Sequence, residues 1–289
     1  MSTEPGALVA GRYRLQGIVG VGAVGTVWSA RDEKSGEDVA VKLLAGAKRE
    51  DPIALQRFLL EAEAAFALRH RSIVEVRASG RVEGGPYIVM ERLRGRTLGD
   101  VLATTRLEPA DALEIVRCVA EGLAVAHAAG IVHRDIKPAN VFLHRAGDEV
   151  IPKLLDFGIF KFLDPAQDGG LSMTGDVLGS PTYMSPEQIR TPRDVDHRLD
   201  LWALGMILYR ATTGGFPFDA RDQGKMLVEI ASKDLALSLD EAPPAVAAIV
   251  RRCLRRARDE RYASATELAD DCVAALVELG VEPDLRALV

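Results

Sequence analysis

Between residues 131 and 140 the chain reads Ile131-Val132-His133-Arg134-Asp135-Ile136-Lys137-Pro138-Ala139-Asn140, and a second short run, Asp156-Phe157-Gly158, follows it. These two runs are the strongest local signal in the sequence. Around them, 131–158 holds short apolar runs bounded by polar turns, and 163–176 is loop-like, rich in Gly, Asp, Ser and Thr. Helical periodicity occupies 98–102, 110–129, 203–212, 225–231, 245–256 and 265–279, so the C-terminal two thirds is mostly helical. The opening is β-rich: 13–44 reads as three short strands around Ile18-Val19, Val27-Trp28 and Val39-Ala40-Val41, with strand-like runs at 73–76 and 87–90. Between them, Pro52 starts an amphipathic helix carrying Leu55, Phe58, Leu59, Ala62, Ala65, Phe66 and Leu68. A sheet with one helix closes a small N-terminal lobe. There is no internal repeat.

The chain has 289 residues, 48% hydrophobic and 27% charged, with 36 Lys+Arg against 42 Asp+Glu. A chain of this size buries enough surface to fold without disulfides or a structural metal. A net charge of -6 argues against nucleic acid or an anionic membrane as the main partner. Cys118, Cys253 and Cys272 are an odd number without metal-ligand spacing and suit a reducing, cytoplasmic compartment. No apolar run approaches the ~18 residues of a membrane span, and the first residues lack a secretory signal.

Three further patterns carry chemistry. Gly20-Val21-Gly22-Ala23-Val24-Gly25 lets backbone approach phosphate oxygens closely, and it leads into a strand rather than a helix, which suits a hairpin laid over a nucleotide; a plain Gly-rich turn has the same composition. Lys42 projects from an apolar strand, as a phosphate ligand or as an ordinary edge lysine. Glu61 borders the apolar face of the next helix, where it could reach Lys42; Glu63 is the better candidate for a solvated glutamate.

Taken together, the spaced motifs resemble the eukaryotic-like (Hanks-type) protein kinases over about residues 11–276, and 58–61, 131–140 and 183–188 look most like their bacterial Ser/Thr branch. The resemblance implies an α+β, bilobal protein-kinase fold: an extension at 1–10, a kinase domain at 11–276 with its N-lobe at 11–94 and C-lobe at 95–276, and a tail at 277–289. It implies ATP as phosphoryl donor with Mg²⁺, or Mn²⁺ in its place, held by Asn140 and Asp156, which offer hard oxygen ligands. Asp135 would orient the substrate hydroxyl and accept its proton, Lys137 would stabilise the migrating phosphoryl group, and Lys42, paired with Glu61, would bind the α- and β-phosphates. Val19, Val27 and Ala40 match the roof of the adenine pocket, with Gly20, Gly22 and Gly25 in the loop over the phosphates. Phe142 matches its floor, where the family more often has Leu or Met. Met90 matches the gatekeeper, and Glu91 and Leu93 the backbone that pairs with adenine.

By the same resemblance, 156–187 is a complete activation segment, with Ser180 standing where the family has Thr on its substrate platform. Glu187 and Arg261 match a buried ion pair, and Asp200 the helix-borne aspartate that braces the catalytic loop. Arg134 and Lys161 match positions that bind a phosphate on the activation loop, which points to autophosphorylation at Thr174, with Ser172 second. Family members that select upstream Arg carry acidic residues where this chain has Thr97 and Ala139, with Arg94 and Arg96 nearby, so strong selection for basic substrates is not expected. The Arg-rich stretch from Arg251 to Arg261 reads as a solvated helix face plus a structural Arg261, ahead of the alternative of a docking surface for acidic partners.

The activity implied is transfer of the ATP γ-phosphoryl group to Ser/Thr hydroxyls of proteins. The competing reading is a pseudokinase scaffold of the same fold; a small-molecule phosphotransferase fits less well, because 179–187 resembles a protein-substrate platform. Expected partners are ATP and protein substrates, with an N-lobe homodimer for autophosphorylation, and no nucleic acid.

Overall fold

The computed structural model describes residues 4–22, 25–44, 66–82, 85–156 and 181–289. The chain divides into two compact units, Met1–His70 with Val74–Leu93, and Arg71–Ile73 with Arg94–Val289.

The first unit is an antiparallel sheet of six strands: β1 (Leu8–Val9), β2 (Tyr13–Val21), β3 (Gly25–Asp32), β4 (Asp38–Leu44), β5 (Val76–Val82) and β6 (Gly85–Glu91), in the order β1-β2-β3-β4-β6-β5. Side chains alternate between faces along a strand. One face therefore gathers Leu15, Trp28, Val39, Val41, Leu43 and Val89 into an apolar core. The base of the β2–β3 hairpin is fastened by a bidentate Arg12–Asp32 pair at 2.8 and 2.6 Å, which holds the Asp32 carboxyl well below the usual carboxylate range.

The second unit is mostly helical. Its helices are α1 (Leu98–Leu102), α2 (Pro109–Ala128), α3 (Pro186–Arg190), α4 (Arg198–Thr213), α5 (Gln223–Ser232), α6 (Pro244–Cys253) and α7 (Ala265–Leu279). Sequence-local chemistry sets their ends. Thr97 with Asp100, and Ser185 with Gln188, form reciprocal capping boxes; Pro stands in the first turn of α2, α3 and α6; and Gly214 and Gly280 close α4 and α7 in left-handed conformations. Helix α4 is buried all round, from Leu199 to Thr212 except at Arg210, as expected of a helix at the centre of a core rather than on its surface. Helices α2, α6 and α7 pack around this core. Leu285, in a closing 3₁₀ turn, is also buried in it. Among the described residues, no helix is long and apolar enough to cross a membrane.

A three-stranded sheet, β7 (Gly95–Thr97), β8 (Val141–Ala146) and β9 (Glu149–Leu154), lies in the same unit. The tight turn between β8 and β9 uses Gly147 at φ +66°.

Several sequence expectations shift. The strand expected at 73–76 runs instead over Val76–Val82. Ile73 leaves the first sheet altogether and makes a lone parallel bridge to Leu154 of β9. The polar stretch Arg77–Arg81 hides β5, because this edge strand buries only Val76. Helix α6 stops at Cys253 rather than 256, and α4 begins at Arg198, five residues ahead of the apolar run that signalled it. The helix expected from Pro52 lies mostly outside the described residues; Phe66 and Ala67 are helical.

The crossing of α4 and α6 leaves no room at Gly205, where an added Cβ would sit 2.2 Å from Cys253 Cβ. Gly205→Ala is therefore expected to cost about 1–3 kcal/mol of stability through overpacking, despite alanine's higher helix propensity. Chemical denaturation of the two proteins measures this.

Candidate active site

Each unit carries its own set of candidate groups. In the sheet unit, cross-strand register does the gathering. Val27 and Ile88 stand opposite Lys42, and Ser29 and Met90 stand opposite Ala40. Val27, Ala40, Lys42, Ile88 and Met90 therefore share one face, the reverse of the apolar core. Lys42 is buried there. Gly20 pairs with Val27, and Gly22 N–H bonds Gly25 O at 2.9 Å across residues 23 and 24, which lie outside the described residues. Gly25 is required by contact: a Cβ there would lie 2.2 Å from Leu43 O. Val19 sits at a register shift of β2 and is exposed, as are Ile18 and Val21. Glu91 ends β6 with its carboxylate turned back to accept Glu75 N–H at 2.8 Å, and Leu93 is buried.

In the helical unit, the groups converge on the segment from His133 to Asn140. Lys137 Nζ donates to Asp135 Oδ2 at 2.9 Å. Asn140 Nδ2 donates to the same oxygen at 3.1 Å and to Asp135 O at 2.8 Å. With Nδ2 so engaged, the amide oxygen of Asn140 is the atom available to a cation. Phe142 is half-buried on β8, opposite Thr97 and Lys153.

This segment is held from below by Asp200. Its carboxylate, fully buried on α4, accepts His133 N–H and Arg134 N–H, both at 2.9 Å, and His127 Nε2–H at 2.8 Å. Three charge-assisted bonds offset the cost of burying the anion. Directly after these two N–H groups the backbone is strained at Arg134, whose φ is +66°, a left-handed conformation that side chains disfavour. Asp156, at φ +30°, also has a positive φ.

His133 links these two strained points. Burial pushes its pKa down, so the ring is neutral and its tautomer follows from its neighbours. Leu155 O, 3.0 Å from Nε2, can only accept, so Nε2 carries the proton. Nδ1 then accepts Asp135 N–H at 3.3 Å. Leu155 N–H bonds Asn140 O at 2.8 Å. The residue before Asp156 is thereby tied to both ends of the Asp135 segment.

Arg261, fully buried, forms a bidentate pair with Glu187 at 2.6 and 2.8 Å and also donates to three backbone carbonyls. The rest of the Arg-rich stretch is more engaged than a solvated face: Arg252 pairs with Glu267 and stacks on Tyr262, Arg255 lies near Glu260, Arg256 donates to Ala231 O, and Arg258 pairs with Asp194. Arg251 is exposed. Glu61, Phe157, Gly158, Lys161, Ser172, Thr174 and Ser180 lie outside the described residues.

Two residues with clear positioning contacts went unread in the sequence. His127, in the last turn of α2 and six positions before His133, bonds the Asp200 carboxylate, and no local pattern marks it. Gln188 donates to Arg134 O at 3.2 Å, tying α3 to the same segment. The three cysteines are buried, and burial pushes the Cys118 and Cys272 thiols up to about 12 and Cys253 well above its ordinary value, so none is a nucleophile at neutral pH.

Among the described residues, no cluster of three or more His, Cys, Asp or Glu is placed to hold a metal ion. Asn140 and Asp156, two hard oxygen donors, fit a cation that keeps most of its shell as water and phosphate oxygens.

A model of the protein kinase domain matches residues 13–273. The serine/threonine-protein kinase Pkn2 of Myxococcus xanthus is 36% identical over 271 residues, covering 92% of this chain and 32% of the relative. PksC of Streptomyces coelicolor, also a serine/threonine-protein kinase, is 38% identical over 289 residues, covering 96% and 51%. PknA of Mycobacterium tuberculosis is 34% identical over 289 residues, covering 98% and 65%. The chain thus spans between about a third and two thirds of the length of these relatives. Among solved structures, the kinase domain of Mycobacterium tuberculosis PknI aligns with a TM-score of 0.71 at 27% identity, covering 94% of this chain and 99% of that one.

The contribution of Asp200 can be isolated. Asp200→Asn preserves shape but replaces one acceptor oxygen with an amide NH₂ facing an N–H donor. We expect a loss of about 1–3 kcal/mol in chemical denaturation.

Proposed function

The chain belongs to the protein kinase family, in its bacterial serine/threonine branch and with its bilobal α+β fold, and on that premise we propose that it transfers the γ-phosphoryl group of ATP to Ser/Thr hydroxyls of proteins. The observation that carries this reading is the shared oxygen: Lys137 Nζ and Asn140 Nδ2 both donate to Asp135 Oδ2. A carboxylate so held is oriented, as a proton acceptor must be.

The family uses ATP and a divalent metal; here Mg²⁺ is the cation we propose, with Mn²⁺ as a substitute. Bound at Asn140 and Asp156, it would neutralise charge on the phosphates. Asp135 orients the acceptor hydroxyl and takes its proton as the new oxygen–phosphorus bond forms and the bond to ADP breaks. Lys137 lies beside the path and offsets the charge on the transferred group. Lys42 is assigned the α- and β-phosphates, paired with Glu61. Val19, Gly20, Gly22, Gly25, Val27, Ala40, Met90, Glu91, Leu93 and Phe142 are assigned to the rest of the nucleotide. The domain is taken as 11–276. Buried free cysteines suit the reducing cytoplasm, where ATP is supplied.

Regulation is proposed to follow from a phosphate on Thr174 or Ser172, met by Arg134 and Lys161. Such a group brings up to two negative charges to a loop. An N-lobe homodimer would present the segment of one copy to the other.

With radiolabelled ATP, generic basic proteins and the kinase itself as acceptors, Asp135→Asn is expected to lower incorporation by about 10²–10⁴ while nucleotide binding persists. A wild-type chain that binds ATP but incorporates no label would instead be a pseudokinase. Intact-mass and peptide mapping after ATP incubation is expected to find phosphate at Thr174 or Ser172; full activity in a Ser172→Ala/Thr174→Ala double variant would remove the regulatory reading.

A further inference from the structure

Most arginines of the helical unit are neutralised by carboxylates: Arg117 by Glu114 and Glu121, Arg198 by Asp196 and Asp259, Arg258 by Asp194 and Arg261 by Glu187. Two beside the Asp135 segment are not. Arg96 Nη2 donates to Asp100 O at 2.8 Å and Arg210 Nη2 donates to Leu102 O at 3.3 Å. Neither makes an ion pair with a carboxylate among the described residues. Both are thus held by carbonyls of the same short helix, α1; the Arg96 charge also helps to hold the Asp100 carboxyl below its ordinary pKa.

Helix α1 places these charges next to the chemistry. At its N-terminal end, a Cβ on Gly99 would lie 3.3 Å from Ala139 N, so the helix abuts the loop that carries Asp135, Lys137 and Asn140. Five residues of helix span about 7.5 Å, so Arg210, at the other end, is one short helix away. On its other side, the Arg210 guanidinium lies 5.3 Å from the centroid of Phe216, which packs edge-on against Tyr183 at 5.8 Å and stacks on Phe218 at 5.6 Å. Tyr183 belongs to the 3₁₀ turn Pro181–Tyr183, which leads into α3 and its Gln188 contact with Arg134. Arg210 therefore sits between two elements that both border the Asp135 segment. It is half-buried, and its stacking on Phe216 limits its rotamer freedom.

Three acids of the same unit have other partners, and Asp100 also feels the charge of Arg96. Asp100 is closed into the capping box with Thr97, Glu241 pairs with Arg106, and Asp219 pairs with Arg221. Ala139, exposed in the loop itself, contributes no charge.

We propose that Arg210, supported by Arg96, is an anion subsite that selects acceptor proteins with acidic side chains a few residues from the target Ser or Thr. The proposal rests on the kinase reading and names its substrate class. An acceptor that lays a hydroxyl at Asp135 leaves the loop along α1 or along the Pro181–Tyr183 turn. At roughly 3.4 Å per extended residue, it meets Arg210 within a few positions. A carboxylate there gains a guanidinium partner whose desolvation has already been met in part by the aromatic shelf, whereas a lysine or arginine is repelled.

The test uses three peptides with one acceptor Ser and otherwise identical sequences, carrying Glu, Ala or Lys at the second to fourth positions on either side. For the wild-type chain, kcat/KM is expected to be roughly fivefold higher for the Glu peptide than for the Ala peptide, with the Lys peptide lowest. The difference should lie in KM and shrink at high salt. Arg210→Glu is expected to invert the order of the Glu and Lys peptides, and Arg210→Met, which keeps apolar contact with Phe216, to flatten it. Each comparison is a ratio within one protein, so a general loss of activity does not imitate the result. If the Arg210 variants do not fold, the wild-type ratios and Arg96→Glu carry the test. Equal use of the three peptides by the wild-type chain, or an acidic preference that survives Arg210→Glu, would overturn the subsite and leave the kinase reading standing. No transfer to any peptide or to the chain itself would overturn both.

Discussion

The buried carboxylate of Asp200 is the fixed point on which the helical unit's chemistry rests. An anion without access to water is tolerated only where donors replace its hydration, and here those donors are two successive backbone N–H groups and one imidazole. Successive N–H groups point to opposite sides of an extended strand, so both can reach one carboxylate only if the backbone turns sharply between them. That turn is made by the φ and ψ of His133, and the left-handed φ of Arg134, just beyond the second N–H, swings the chain on into Asp135. The strain, about 1–2 kcal/mol for such a residue, sits directly after the pinned N–H groups, where the chain is anchored on one side by Asp200. Asp135 is the next residue, so the brace places its backbone, while Lys137 and Asn140 orient its carboxylate.

A second constraint is the register of the β8–β9 ribbon. Asn140 immediately precedes β8, and Asp156 follows β9 by one intervening residue. Val141 pairs with Leu154, so the two candidate cation ligands hang from the open end of one ribbon. Their separation is therefore a property of strand pairing, which a slip of one residue would destroy by reversing every side chain. The tight turn at Gly147 sets the register from the closed end. The bond from Leu155 N–H to Asn140 O and the bridge from His133 to Leu155 O extend it past the last paired residue. Arg134 and Asp156, the two described non-glycine residues of the helical unit with positive φ, flank this construction, which is where a loop forced to satisfy two anchors at once would concentrate its distortion.

Much of this was legible in the sequence, for identifiable reasons. Helices such as α7, whose predicted and observed limits coincide at 265 and 279, announce themselves through periodicity and through Ser264 and Gly280 at their ends. The residues of the Asp135 segment were legible because their chemistry demands particular types at particular spacings. Strand β5 was not, because an edge strand exposing Arg77, Ser79 and Arg81 has no apolar alternation to show. His127 escaped for a different reason: its partner Asp200 is 73 residues away, and nothing local distinguishes a histidine that bonds a buried carboxylate from one that faces solvent. Long-range polar contacts are where pattern reading loses its purchase, since periodicity reports burial but not partnership.

Charge illustrates the same limit from the opposite side. The densest basic run in the sequence, Arg251 to Arg261, looks like a cationic surface when read along the chain. Folded, its members meet Glu267, Glu260, Asp194, Glu187 and a backbone carbonyl, and most of the excess charge is cancelled. Arg96 enters the sequence reading only as a neighbour of Thr97 and Arg210 not at all, yet each donates to a carbonyl oxygen, which satisfies a hydrogen bond without forming an ion pair. The distinction is physical: a carboxylate partner removes a guanidinium from the local field, and a carbonyl partner only orients it. A net charge of -6 therefore does not describe the surface that an acceptor protein meets near Asp135. What decides that surface is which arginines the fold has left facing dipoles instead of anions.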